Sequence, residues 1–330
     1  MKKKIYVSDL SAHFTHEVEE LFFIKDLILK KTSSQKDYMD LYLQDKTGTV
    51  GGIMWEEYIK SEFLTYKGHV AKIKGMVVHN QKEQNQILVT SIELVEGYEQ
   101  REFVNGLTEE ETYKYFGYLH GYVENVQDEG YRTLLQLVFD KEKEKFAILP
   151  VTLKSHHNYN GGLLVYTVSV TSLARYMSRT LSVYNFHPSY NLPFDSALLV
   201  TAGLLHAIGI VRMINPFPEL RRDNVSILLS QYEHTMWYLQ ETFQELGEEV
   251  LPEEKKTLLL HTIGCVYEST ERKAMLREAM LLREAYQLLI SVSNLEYFMS
   301  CHAGEEGSIF DEHMNNYLYL QTKNKEEVDG

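Results

Sequence analysis

Tyr38-Met39-Asp40-Leu41-Tyr42-Leu43-Gln44-Asp45-Lys46-Thr47-Gly48, continuing through Thr49 to Trp55, is the stretch on which the fold turns. Met39, Leu41 and Leu43 alternate with Tyr38, Asp40 and Tyr42, the period-two pattern of a strand with one buried face. Asp45 to Gly48 supplies a turn. Val50 to Trp55 makes the next strand, and Gly51-Gly52 permits the sharp bend that a small barrel needs. Working outward, Phe22–Leu29 reads as the strand before this hairpin. His69–Val78 and Gln86–Leu94 read as two strands after it, and one short helix is expected over Glu56–Leu64.

Five strands with a helix between the third and fourth is the pattern of an OB-type β-barrel. From residue 107 the hydrophobic period changes to that of helices. Thr108 and Glu111 have the spacing of a capping box. Val165–Leu181, Asp195–Met213, Val225–Leu246, Glu253–Val266 and Ala274–Met299 read as helices, with loops over Asn158–Gly162 and Asn185–Pro193. The expected architecture is a five-stranded OB-type β-barrel over 1–105, an all-α domain over 106–322, and a charged tail over 323–330.

The 330 residues are 44% hydrophobic and 24% charged, an ordinary globular composition with enough apolar residues for two cores. Two cysteines, Cys265 and Cys301, are too few for a disulfide framework and read as reduced thiols, so a cytoplasmic setting is expected. Met1-Lys2-Lys3-Lys4 is followed too soon by Ser8, Asp9, His13 and Glu17 for a signal peptide. No apolar run is long enough to span a membrane. The net charge of −14 is uneven. Residues 1–100 hold 13 Lys/Arg and 15 Asp/Glu, net −2, which leaves 20 and 32, net −12, for the rest. An acidic body repels phosphate, so any nucleic-acid contact is expected on the near-neutral N-terminal part. Walker A, GxGxxG, GxSxG and HExxH strings are absent.

Two strings together carry a resemblance. One is Leu41 to Gly48 with Trp55 beyond it; the other is His156-His157-Asn158-Tyr159-Asn160-Gly161-Gly162-Leu163-Leu164. Both are similar to the YhaM-type 3′–5′ exoribonucleases, which join an OB-fold to an HD-type phosphohydrolase domain. The likeness covers roughly residues 20–300 and keeps the order of the parts. It implies an HD-type helical domain whose metal-binding His and Asp residues activate water on a phosphodiester.

Carried over position by position, that ligand set is largely replaced. The resemblance puts ligands at Tyr166, at His206 with Ala207, at Gln231, at His261 with Thr262, and at Ser293. Only His206 and His261 keep a ligand side chain. Two neutral imidazoles without a bridging carboxylate meet neither the charge nor the coordination number of a Mn or Mg centre. No cofactor is therefore expected, a divalent metal being needed only if a rearranged site is active. The plainer reading of His206 and His261 is that they are buried core histidines.

Other residues suit ligands better. His156, His157 and Tyr159 precede a helix beside Gly161 and Gly162, a setting for close backbone approach and phosphate-binding amides. Tyr38 and Tyr42 share the polar face of their strand, and Lys72 and Lys74 face away from Ala71 and Ile73. Stacking aromatics beside lysines are how OB-folds hold single strands, so these four are the candidate nucleic-acid contacts. Trp55 reads as core or barrel rim. Tyr113, Tyr115 and Tyr118 suit subunit contacts, so a homo-oligomer is expected. The expected function is a non-catalytic or impaired relative of the exoribonucleases that binds single-stranded RNA or DNA, or a nucleotide. The alternatives are an active 3′–5′ exonuclease with a rearranged site, and a protein-binding scaffold.

Overall fold

The structure is a computed structural model and describes residues 3–80, 84–153, 155–183, 193–218, 221–267, 273–302, 305–311 and 316–320. The tail over 323–330 and most of the loop expected at 185–193 lie outside the described residues.

Alternating apolar residues close a five-stranded barrel. Its strands are β1 (Glu17–Lys31), β2 (Asp37–Asp45), β3 (Gly48–Trp55), β4 (Val70–His79) and β5 (Asn85–Leu94), in the order β1-β2-β3-β5-β4. All pairs are antiparallel except β3 with β5. This is the OB-type topology. Met39, Leu41, Leu43, Met54, Ile73 and Ile87 are fully buried inside it, joined by Phe22 and Ile24. Gly75 sits at a register shift between β4 and β5, where a Cβ would stand 2.3 Å from the Leu88 carbonyl oxygen. Any larger residue there would hold the two strands apart.

The expected helix between β3 and β4 is instead two short 3₁₀ turns, Glu56–Tyr58 and Ser61–Thr65. Extended backbone at Ile59 and Lys60 separates them and lets Phe63 turn into the core. Lys3 is 3% exposed. Its ammonium pairs with Asp45 at 3.3 Å and lies 3.5 Å from the Phe22 ring centroid.

The barrel's unit is not one contiguous segment. It comprises Met1–Glu110 together with Tyr159–Gly161 and Ile214–Arg222. A second hydrophobic cluster shows why: Leu21, Phe23, Val70, Phe103 and Val104 pack with Phe217. The Phe103 and Phe217 rings stack 6.4 Å apart at 6°, and Phe23 lies 4.7 Å from Phe217.

The other unit is largely helical. It contains α1 (Glu109–Glu124, beginning at the end of the barrel unit), α2 (Glu129–Ile148), α3 (Gly162–Val183), α4 (Ser196–Leu205), α5 (Gln231–Leu246), α6 (Glu253–Gly264) and α7 (Arg277–Cys301). A hairpin of β6 (Gly307–Asp311) and β7 (Asn316–Leu320) follows. Sequence periodicity missed α2, which Asp128 caps by accepting from the Tyr131 amide at 3.0 Å. The helix expected over Asp195–Met213 breaks after Leu205 and resumes as a 3₁₀ turn over Ile208–Arg212. The break lets Gly209 donate to Thr235 Oγ1 on α5 at 3.2 Å, where a Cβ on Gly209 would stand 2.5 Å from the Thr235 nitrogen. No described helix is long and apolar enough to cross a membrane.

Candidate functional site

Register builds the candidate nucleic-acid interface. On the outer face of the barrel Lys30, Tyr38 and Trp55 form one row across β1, β2 and β3. Ile28, Asp40, Ile53 and Leu88 form the next, and Asp26, Tyr42, Gly51 and Gln86 the third. Tyr38 and Trp55 lie 6.0 Å apart, ring to ring. Tyr42 is 42% and Trp55 41% exposed. Trp55 is thus an outer-face residue beside Tyr38, which alternation alone left between core and rim. Next to Tyr42 lies a groove of about 690 Å³, walled by Asp40 and Thr49 on one side and by His79, Asn80, Gln84, Asn85 and Gln86 on the other. The β2–β3 face and the loop between strands four and five are where OB-folds take oligonucleotides.

Lys72 and Lys74 do not join this face. They pair with the first half of β1, at Leu21 and Glu19, whereas Tyr38 and Tyr42 pair with its second half, at Lys30 and Asp26. From Glu19 to Asp26 is seven residues, 26 − 19, or roughly 23 Å along an extended strand. Both lysines are also engaged: Lys72 with Glu19 and Glu93 at 3.3 and 3.1 Å, Lys74 with Glu17 at 3.4 Å. The expected grouping of the four residues is therefore corrected by the length of β1 and by local ion pairs.

The second candidate region lies among the helices, where an aromatic and imidazole cluster surrounds Tyr166. Its ring centroid is 5.3 Å from His157, 5.7 Å from His156, 5.3 Å from His206 and 6.2 Å from Tyr286. His156 and His157 meet through their Nδ1 atoms at 3.1 Å. His157 adopts φ 51°, a left-handed conformation rare for a non-glycine residue. Gly162 is held against it: a Cβ there would stand 2.3 Å from the His157 carbonyl oxygen. Gly162 thus serves close packing of the protein on itself. The second helical amide is also used internally, Leu163 donating to the Leu149 carbonyl at 3.0 Å. Tyr159 and Gly161 fall in the barrel unit, whereas His156, His157 and Gly162 fall in the helical one.

His206 has no exposed surface. Its Nδ1 donates to the Gly203 carbonyl at 2.6 Å, and its Nε2 is buried without a partner. Burial pushes its pKa down to about 4, and burial with the neighbouring His156 does the same for His157. Burial lowers His156 too. All three imidazoles are neutral at pH 7. Tyr267 donates to the His206 carbonyl and lies 3.1 Å from Thr235 Oγ1. Gln231 also hydrogen-bonds to the Tyr267 phenol.

These residues do not fit a divalent cation. Burial, then Tyr286 and Tyr267, hold the Tyr166 phenol well above its ordinary pKa, so it stays protonated. Ala207 offers no donor atom, and the Thr262 hydroxyl donates to the Leu258 carbonyl at 2.8 Å. His261 Nε2 accepts the Met275 amide at 3.1 Å. Ser293 is half-buried on α7, seven residues and two turns beyond Tyr286. Among the described residues no group of three or more His, Cys, Asp and Glu side chains is placed to hold a metal. Sequence reasoning missed Tyr286 and Tyr267. Tyr286 was within reach of it, since the spacing 286 to 293 puts both residues on one helical face.

No family model matches the chain. It is 27% identical over 197 residues to the 3′–5′ exoribonuclease YhaM of Geobacillus sp. (strain WCH70), covering 58% of this chain and 57% of that protein. It is 24% identical over 207 residues to the 3′–5′ exoribonuclease YhaM of Bacillus pumilus (strain SAFR-032), covering 61% and 62%. The chain thus spans about three-fifths of the length of these relatives. Asparaginyl-tRNA synthetase from Pyrococcus horikoshii is 12% identical, with a TM-score of 0.23 over 47% of this chain and 40% of that one. Aspartyl tRNA synthetase from Entamoeba histolytica is also 12% identical, with a TM-score of 0.24 over 55% and 37%. Those two likenesses are too slight to bear on function.

Proposed function

We propose that this chain, a relative of the YhaM-type 3′–5′ exoribonucleases, binds single-stranded nucleic acid on its barrel and does not hydrolyse it. The observation that carries the reading is the outer face of β2 and β3, which carries Tyr38, Tyr42 and Trp55 and on which Tyr42 lines the 690 Å³ groove. Aromatic faces stack bases of any sequence, each stack contributing about 1–3 kcal/mol. The order of the two parts and the surviving His206 favour an HD-type ancestry for the helical region. Its lost carboxylates and buried, protonated Tyr166 favour a repacked site that no longer activates water. On this reading the helical unit carries no metal.

The test is titration of a fluorescent single-stranded 12-mer into the full chain at low salt. Tyr42→Ala and Trp55→Ala should each weaken binding by about 1–3 kcal/mol. Absence of any affinity in the unaltered protein discards the reading in favour of a protein-binding scaffold.

A further inference from the structure

The outer face of β2 and β3 offers its rings at two separate places. Tyr38 and Trp55 stand opposite each other in the register, with ring centroids 6.0 Å apart. Rings in mutual contact lie about 4.5–7 Å apart, so these two make one platform with no room for a base between them. Tyr42 lies four positions along the same strand, 42 − 38, or roughly 13 Å at the extended rise. Its cross-strand neighbours bring no ring: Gly51 on β3 has no side chain, and Asp26 on β1 is drawn to Lys67 at 2.7 Å. The row between the two places holds Ile28, Asp40, Ile53 and Leu88, again without a ring. The Asp40 carboxylate is held by Lys30 at 2.5 Å. A base over this middle row would find aliphatic side chains and a carboxylate already paired, and nothing to stack on.

We infer that the barrel holds a single strand by two separated bases, one on the Tyr38–Trp55 platform and one on Tyr42, and leaves the bases between them unread. The inference rests on the nucleic-acid reading above and narrows it. Distance sets the spacing of the two bases. A stacked strand advances about 3.4 Å per nucleotide, so a gap of roughly 13 Å is about four steps. A strand drawn out across the middle row covers the gap in fewer. The held bases are then about two to four steps apart, which makes the ligand a single-stranded stretch of about three to five nucleotides, near the short end of OB-fold site sizes. The two stacks reinforce each other through the chain that joins them. Once one base is seated, the second arrives at an effective concentration that is greatest when the connecting length matches the gap.

The experiment uses labelled 12-mers that are abasic except for two adenines, placed from adjoining to eight abasic residues apart, so that length and charge stay constant. Each is titrated into the full chain at low salt, beside an all-adenine 12-mer. Affinity should peak with about one to three abasic residues between the adenines, at about tenfold or more above the strand whose adenines adjoin. It should fall again at the widest separation. Tyr42→Ala should remove the peak and bring every strand to the level of one with a single adenine. Tyr42→Phe, which keeps the ring, should retain the peak. Tyr42 is 42% exposed, and an unchanged melting temperature would show the alanine variant folded. Affinity that varies by less than about twofold with separation, or that rises without a maximum, overturns the inference; binding of the all-adenine strand then leaves the parent reading in place. Loss of the peak in Tyr42→Phe overturns it too, since the hydroxyl and not the ring would be the contact. Failure of the all-adenine strand to bind removes the parent reading and this one with it.

Discussion

Acid should unfold the helical region through its buried imidazoles, and His206 is the one most readily isolated. Its ordinary pKa is about 6.5, and the fold holds it down at about 4. Between those values the unfolded chain takes a proton that the folded chain refuses, so stability falls as pH falls. The contribution is fully present above about pH 6.5 and gone below about pH 4. At about 1.4 kcal/mol per pKa unit it amounts to about 3 kcal/mol, of which about 2 kcal/mol is lost between pH 6.5 and 4.5. His157 contributes in the same window for the same reason. The comparison is between the unaltered protein and His206→Gln, which keeps an N–H for the Gly203 carbonyl but does not titrate. Urea unfolding followed by helical dichroism, at pH 7.5, 6.5, 5.5 and 4.5, reads the difference. The variant should be the less stable at pH 7.5, yet lose about 2 kcal/mol less than the parent between pH 6.5 and 4.5. Parallel profiles would show that His206 is not held neutral by the cluster, and the reasoning about the repacked site would fall with it.

Three further outcomes are expected. Gly75→Ala should cost about 3 kcal/mol or more of barrel stability, because its Cβ would stand 2.3 Å from the Leu88 carbonyl; a melting temperature within a degree or two of the parent would contradict this. Protein purified without chelator should carry no stoichiometric Mn, Mg, Fe, Zn or Ni by elemental analysis, and single-stranded RNA should survive incubation with it in Mn. Stepwise shortening from the 3′ end, abolished in His206→Ala, would show a working centre that still uses His206.

The barrel was legible because its strands alternate in the simplest way: Met39, Leu41 and Leu43 inward, Tyr38 and Tyr42 outward. What periodicity does not carry is the neighbourhood of strands. Lys72 and Lys74 were placed beside the tyrosines on facing alone, and only the pairing of β1 with both β2 and β4 shows them at its other half. In the helices, α2 was hidden because the charged run Asp140 to Lys145 masks the stripe of Tyr131, Leu134, Leu135, Val138 and Phe146. Lys3 reads as a surface charge in any one-dimensional view, and its burial depends on Asp45, 42 residues away. The candidate site divides in the same manner. The replaced ligand positions are readable from a resemblance, whereas the groove beside Tyr42 needs β4 and β5 to be folded back beside β3.

Phe217 has a consequence for the order in which the molecule is made. The main barrel core is complete by Ile92, but the second cluster stacks Phe103 on a ring 114 residues later, 217 − 103. At about 5–20 residues per second of synthesis, Phe103 waits roughly 6 to 23 s for that partner. Through this interval the nascent barrel shows an apolar face of Leu21, Phe23, Val70 and Phe103 while the first helices are being translated. A ribosome paused before residue 217 would prolong that exposure. The lower end of the barrel thus matures on the clock of translation, after the chain has left it and come back.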